Sequence, residues 1–230
     1  MLTHPNGNWM IVEALKNLDF GSIDKVYFGF LNEHIEKYNC KEAIDMCIRE
    51  LGIENKAEVV VLDKRTVNQP HTVYEVIKQA SIKGQIIIKE VDNTFSYKIE
   101  DGNFMCYYDL NDTTLINPSN KSYITIDDEG SISDLVEKKV ISSTFGCGSY
   151  SFEDSGDYCD YFVKMSDNEK LFLSDIIKKM IDDGFKFKPV AVYDYIDWGT
   201  KEDWFDYVRQ YKTLFVDIDG TLVKSSGKYI

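Results

Sequence analysis

The sequence is poor in the residues that mark several classes of protein. Its 230 residues include 4 prolines, 3 histidines and 5 cysteines. So few prolines leave no proline-rich linker, and the chain has neither a CxxC motif nor closely spaced histidines that would predict a zinc site. An odd number of dispersed cysteines argues against a disulfide framework and fits a reducing compartment.

Positive charge and long apolar runs are also scarce. The 26 Lys and Arg residues are outnumbered by 39 Asp and Glu residues, which gives a net charge of -13. Such a chain repels phosphate backbones, so we expect neither nucleic acid nor an anionic membrane as a partner. No apolar run approaches about 18 residues, and the N-terminus lacks the pattern of a signal peptide. We therefore expect a cytoplasmic protein.

The first 92 residues alternate between helical and strand-like patterns. Three runs predict strands, at residues 23–30, 57–62 and 85–91. Helical spacing of apolar residues predicts helices at 8–18, 33–51 and 71–80. The strands are continuously apolar, which is typical of a parallel sheet covered by helices on both faces.

Beyond residue 93 the apolar period changes to two, which predicts antiparallel strands up to about residue 150. Helices are then predicted at 157–165 and 173–182, a strand at 187–196, and a last helix that Thr200 caps. We expect an α/β fold with a doubly wound, mixed and mainly parallel sheet that carries an antiparallel insertion. Because the chain starts with a loop and a helix, we expect the sheet to lack its first strand.

Two carboxylates stand at predicted strand ends, where ligands bind in open α/β sheets. Asp92 follows the strand at 85–91, and Asp197 lies between a strand and a capped helix. Together they could hold one Mg²⁺ against substrate phosphates, because this cation prefers oxygen ligands. The alternatives are a turn-forming Asp-Asn pair at Asp92 and a helix-entry carboxylate at Asp197.

A charge triplet, Glu137, Lys138 and Lys139, ends another predicted strand. Such triplets are usually solvated surface. Here, however, the triplet belongs to an ordered set of four segments: VDN (91–93), VEKK (136–139), FGCGSYSF (145–152) and IDWGTKED (196–203). This succession resembles the sugar-phosphate nucleotidylyltransferase family over roughly residues 2–211, with IDWGTKED as its most specific part.

The resemblance implies a Rossmann-like nucleotidyltransferase fold for residues 1–211, and it implies a reaction. A nucleoside monophosphate would pass from a nucleoside triphosphate to a sugar phosphate or similar phosphorylated small molecule, with release of pyrophosphate, for cell-surface polysaccharide synthesis. Asp92 and Asp197 match the carboxylates that hold catalytic Mg²⁺, and Lys138 matches the lysine that grips the acceptor phosphate. The resemblance also implies four further substrate-binding residues, Gln69, Thr72, Glu137 and Gly148.

One element of the family is not found in this sequence. A glycine-rich, arginine-containing loop that holds the nucleotide phosphates would lie just before Leu2. We therefore expect the chain as it stands to be a weak or inactive enzyme. A catalytically inactive fragment that binds nucleotide sugars is the corresponding alternative, and an incomplete sheet edge makes a homo-oligomer possible.

The C-terminus carries a second motif, DIDGTLV, in which Asp217 and Asp219 follow an apolar run. It resembles the first motif of the haloacid-dehalogenase-like phosphohydrolases, in which the first Asp attacks a phosphoryl group and the second acts as acid and base. We interpret residues 212–230 as the start of such a domain. The alternative function is thus the phosphatase part of a bifunctional enzyme. For the motif itself, the alternative interpretation is a simple Asp-Gly turn after a strand.

Overall fold

The structure is a computed structural model that describes residues 3–112, 117–212 and 214. Its helices within these ranges are α1 (Met10–Leu15), α2 (Asn32–Tyr38), α3 (Lys41–Glu50), α4 (Gln69–Ala80), α5 (Ser155–Met165), α6 (Leu173–Asp182) and α7 (Lys201–Val208). The strands are β1 (Val26–Leu31), β2 (Ala57–Leu62), β3 (Ile86–Lys89), β4 (Asn93–Ser96), β5 (Phe104–Asp109), β6 (Ser122–Ile126), β7 (Ile132–Glu137), β8 (Thr144–Phe152), β9 (Lys188–Ala191) and β10 (Tyr193–Asp197).

The sheet is mixed, which confirms the predicted α/β class with antiparallel strands in its middle section. The largest sheet has the order β7-β6-β8-β5-β9, and β3 pairs with β8 as well. β5 and β9 are parallel, while β8 runs antiparallel to β3, β5 and β6. β1 and β2 form a separate parallel pair, and β10 pairs with β4.

Helix α6 shows how the sequence determines an element and its packing. Four of its apolar residues follow the helical spacing i, i+3, i+4, i+7 and are buried, namely Leu173, Ile176, Ile177 and Met180. Asp175 accepts a hydrogen bond from the Phe172 backbone N–H (2.9 Å), and Gly184 follows the helix with a left-handed φ of +99°. The predicted bounds of this helix are confirmed.

The single helix predicted at 33–51 is wrong, because the chain forms two helices there. Asn39 ends α2 in the left-handed region, with φ of +45°. Asparagine tolerates this conformation better than most residues do. The apolar spacing continues across the break, which explains why the pattern gave no sign of it.

The predicted strand at 187–196 also divides in two. Its first half, β9, extends the large sheet beside β5, whereas its second half, β10, turns away to pair with β4. Asp194 has a left-handed φ of +56°, and the β10–β4 register shifts between Tyr193 and Ile196. This irregularity redirects the strand. It carries Asp197 toward the loop that contains Asp92.

None of the helices in the described part of the chain has the length and apolar character needed to cross a membrane.

Candidate active site

An open cleft of ≈ 330 Å³ lies between the loop after β3, the start of β6, the end of β7 and the start of α7. It brings together six of the positions predicted from the sequence, Gln69, Asp92, Glu137, Lys138, Gly148 and Asp197. These residues lie far apart in the chain. The fold therefore collects the predicted residues at one place, as expected for a ligand site at the strand ends of an α/β sheet.

The two predicted metal-binding carboxylates face each other across Gly199. A Cβ atom at Gly199 would lie 3.1 Å from Asp197 Oδ1 and 3.2 Å from Asp92 Oδ2. The pairing of β10 with β4 sets this arrangement, because Asp197 lies opposite Asn93 and the Trp198 N–H donates to the Asp92 carbonyl (2.8 Å). The side chain of Asp197 is only 4% exposed.

Negative charge is concentrated around this pair. Partial desolvation by the surrounding protein raises the pKa of Asp92, and the charge of Asp197 raises it further. Glu90 lies nearby, and burial followed by the charge of Asp92 raises its pKa too. Because the negative charges of these carboxylates repel one another, a cation bound between them is stabilised.

The donor set fits Mg²⁺, which often uses one or two carboxylates together with water and phosphate oxygens. It does not resemble an all-protein metal cage. Within the ranges that the structure describes, no group of three or more His, Cys, Asp or Glu side chains is arranged to hold a metal ion.

Lys89, a residue that the sequence analysis did not single out, holds the loop that carries Asp92. Its ammonium donates to the backbone carbonyls of Glu90 (2.5 Å) and Asn93 (3.2 Å) and to Asn93 Oδ1 (2.6 Å). Asn93 Nδ2 donates in turn to Asp92 Oδ1 (3.0 Å). Desolvation lowers the pKa of Lys89 to about 8, and the nearby negative charges of Asp92 and Glu90 offset part of that effect.

Lys121 is a second residue that sequence reasoning missed, and it lies in the cleft itself. Its ammonium forms an ion pair with Asp197 and donates to the Tyr195 hydroxyl (3.0 Å). The lysine precedes β6 in an ordinary polar turn, NPSNK, which offers no sequence signal. Its importance arises only from the position of β6 beside β8 and from the return of β10 to the cleft.

Glu137 and Lys138 occupy the other side of the cleft. Glu137 Oε2 accepts hydrogen bonds from the hydroxyls of Ser122 and Ser174, the latter at 2.7 Å. Lys138 has a left-handed φ of +55°, and its Nζ lies 4.6 Å from the centre of the Phe172 ring. The VEKK segment therefore contributes a fixed carboxylate and an ammonium group to the cleft.

Of the other predicted substrate-binding residues, Gln69 and Gly148 line the cleft. Gln69 Nε2 donates to Glu90 Oε1 (2.9 Å). Gly148 has φ of +80°, and a Cβ atom there would lie 2.4 Å from Glu90 Oε2 and 2.8 Å from Asn93 Nδ2. Glycine fits this close approach, whereas a Cβ atom would displace the side chains of Glu90 and Asn93 and would strain a backbone with this φ.

Thr72 does not lie among the residues that line the cleft. Its hydroxyl contacts that of Thr66 (2.5 Å) and donates to the Asn68 carbonyl (3.3 Å), so it stabilises the entry to α4.

Asp217 and Asp219, the predicted catalytic pair of the C-terminal motif, lie outside the described residues. The predicted cap of α7 is confirmed, since Thr200 accepts from the Asp203 N–H (3.1 Å).

The sequence matches no protein-family model and no curated protein. Solved structures do match the fold. A nucleoside-diphosphate-sugar pyrophosphorylase from Vibrio cholerae is 17% identical with a TM-score of 0.69, and the match covers 91% of this chain and 90% of that one. The inositol-1-phosphate CTP transferase from T. maritima is 13% identical with a TM-score of 0.66, over 87% and 80% of the two chains.

A UDP-glucose pyrophosphorylase in complex with UDP-glucose matches at 12% identity, with a TM-score of 0.56 over 80% of this chain and 81% of that one. At these identities the likeness concerns the fold. The chain thus has the α/β fold of nucleotide-sugar pyrophosphorylases and nucleotidyltransferases, and the cleft lies in that fold.

Proposed function

We propose that this chain is a nucleotidyltransferase. It would transfer a nucleoside monophosphate from a nucleoside triphosphate to a sugar phosphate or a similar phosphorylated small molecule, in the synthesis of cell-surface polysaccharide. The observation that carries the proposal is the convergence of Asp92 and Asp197 on one point of an open cleft, in a chain with this fold.

Asp92 and Asp197 are the residues that would hold Mg²⁺. The bound ion would supply positive charge to neutralise the phosphates. Lys89 and Asn93 hold the Asp92 loop through the hydrogen bonds described above, and the β10–β4 pairing fixes Asp197. The carboxylates are thus positioned before any ligand binds, which lowers the cost of reorganisation.

In the proposed reaction a phosphate oxygen of the acceptor attacks the α-phosphorus of the nucleotide. A new P–O bond forms, the bond between the α-phosphorus and the bridging oxygen breaks, and pyrophosphate leaves with the electron pair. No side chain forms a covalent bond. The chain binds and orients the two phosphates, with Lys138 and Glu137 on the acceptor side and Gln69 toward the nucleotide base.

The test uses the 230-residue chain with Mg²⁺, each common nucleoside triphosphate, and a panel of sugar 1-phosphates and small-alcohol phosphates. Released pyrophosphate is hydrolysed by inorganic pyrophosphatase and measured as phosphate, and nucleotide binding is measured in parallel by calorimetry. We expect slow release with at least one pair of substrates, in keeping with the weak activity expected from the sequence, and Asp197→Asn should reduce this release about 100-fold or more.

Asp194→Asn is the matched control. Asp194 lies on the same strand, is exposed to solvent and has a left-handed φ that asparagine also adopts, so this change should leave the activity as it is. If nucleotide binds but no pair of substrates releases pyrophosphate, the chain is a nucleotide-binding fragment and not an enzyme. Absence of both binding and release would overturn the nucleotide site itself.

A further inference from the structure

The two lysines of the cleft have different environments. Lys121 and Lys138 are neighbours across the β6–β7 ladder, since the Lys138 N–H donates to the Lys121 carbonyl (2.9 Å). The left-handed backbone of Lys138 turns it out of the ladder, and its ammonium rests over Phe172. Lys121 has an extended backbone that continues into β6, and its ammonium forms the ion pair with Asp197.

The position of Lys121 is also the more enclosed of the two. Its side chain is 14% exposed, and its ammonium lies 5.9 Å from the centre of the Phe145 ring and 5.6 Å from that of Tyr195. Lys138, in contrast, is an exposed residue. A cation in an enclosed site interacts more strongly with a bound anion, because water screens the interaction less.

The geometry of the cleft indicates why a cation is needed there. The carboxylates of Asp92 and Asp197 converge beside Gly199. Two lysine ammonium groups lie close to them, that of Lys121 on Asp197 and that of Lys89 on the loop that carries Asp92. Lys89 is occupied with the carbonyl oxygens of its own loop, whereas Lys121 lines the cleft. A phosphate beside these carboxylates would be repelled unless a cation such as Lys121 faces it.

We propose that Lys121 is a catalytic residue that binds the phosphate at which transfer occurs, next to the Asp92–Asp197 pair, and that Lys138 binds a more distant part of the acceptor. This inference rests on the proposed function. Lys121 donates N–H bonds to the phosphate oxygens and neutralises the charge that accumulates as the new P–O bond forms. Its ion pair with Asp197 fixes the ammonium group before substrate binds.

The experiment measures, by calorimetry, the binding of inorganic phosphate to the 230-residue chain in the presence of Mg²⁺. We expect Lys121→Gln to weaken binding by about 10-fold or more, as for loss of a charge-assisted hydrogen bond, and Lys121→Arg to restore most of it. Lys138→Gln should have a smaller effect, and Lys139→Gln, an exposed neighbour, is the control. With an active substrate pair, Lys121→Gln should lower kcat, whereas Lys138→Gln should raise the KM of the acceptor.

Removal of Lys121 leaves Asp197 buried without its partner, so the glutamine variant could lose its fold. A second measurement therefore uses the unmodified chain. Reductive methylation of lysines, read by peptide mass spectrometry, should be slowed at Lys121 by phosphate with Mg²⁺ and should be unaffected at Lys139. Methylation of Lys121 at the same rate with and without phosphate would refute the proposal, as would a folded glutamine variant that binds phosphate like the original chain.

The two proposals fail in different ways. If phosphate binding depends on Lys121 but no substrate pair releases pyrophosphate, the proposed function fails and the phosphate site stands without a catalytic role. If pyrophosphate is released and phosphate binding is independent of Lys121, the present inference alone fails.

Discussion

Glu13 offers a direct test of the electrostatics at the start of the chain. Its side chain is buried, with the residue 4% exposed, and its carboxylate accepts hydrogen bonds from Asn6 Nδ2 (2.9 Å), Asn8 Nδ2 (2.7 Å) and Lys16 Nζ (2.6 Å). Burial acts to raise the pKa of Glu13, but these three donors outweigh it and lower the pKa from 4.5 to about 2. The native state therefore favours the charged carboxylate.

The magnitude follows from linkage between protonation and folding. Since one pKa unit corresponds to about 1.4 kcal/mol, the lowered pKa of Glu13 contributes on the order of 3 kcal/mol to the free energy of unfolding. The contribution is fully present above the unfolded pKa of 4.5 and is lost as the pH falls through the native pKa of about 2, below which the carboxyl group is protonated in both states. We expect Glu13→Gln to lower stability by about 2–3 kcal/mol at pH 7.

The assay is urea unfolding followed by circular dichroism at several pH values between 7 and 2.5, at constant ionic strength. The difference between Glu13→Gln and the original chain should shrink steadily as the pH falls below 4.5. Glu54→Gln, at an exposed glutamate, is the control and should be neutral within about 0.5 kcal/mol. A loss of stability that stays the same at all pH values would refute the electrostatic reasoning and point to packing instead.

Two further predictions concern the cleft and the core. Gly148→Ala should lower the free energy of unfolding by about 1–3 kcal/mol and weaken nucleotide binding, because φ of +80° strains alanine and its Cβ displaces the side chains of Glu90 and Asn93. Urea unfolding measures the stability and calorimetry measures the binding. If neither quantity changes, the close approach at Gly148 is contradicted. Tyr158→Phe should lower the free energy of unfolding by about 1–3 kcal/mol, because the buried Pro70 carbonyl loses the hydroxyl that donates to it at 2.8 Å. Chemical denaturation measures this difference. A neutral change would show that water replaces the hydroxyl.

The outcome of the sequence-based predictions depends on how local the determining interactions are. Helix α6 and strand β2 have the predicted bounds because apolar period and terminal residues, such as Gly184 after α6, act within a few residues. The strand predicted at 187–196 divides instead, because β9 and β10 pair with different strands. Pairing partners lie about a hundred residues away, beyond the reach of any local pattern.

The sequence by itself determined the class of the fold, most of its elements, and the carboxylates at two strand ends that converge in the cleft. Those features follow from hydrophobic burial with a period of two or 3.6 residues and from residue types that prefer turns and caps. Only the tertiary structure decided the positions of Lys121 and Lys89. Their effect depends on distance and desolvation, because a lysine acquires a role only when the folded chain places its charge beside a carboxylate or a carbonyl oxygen and away from water.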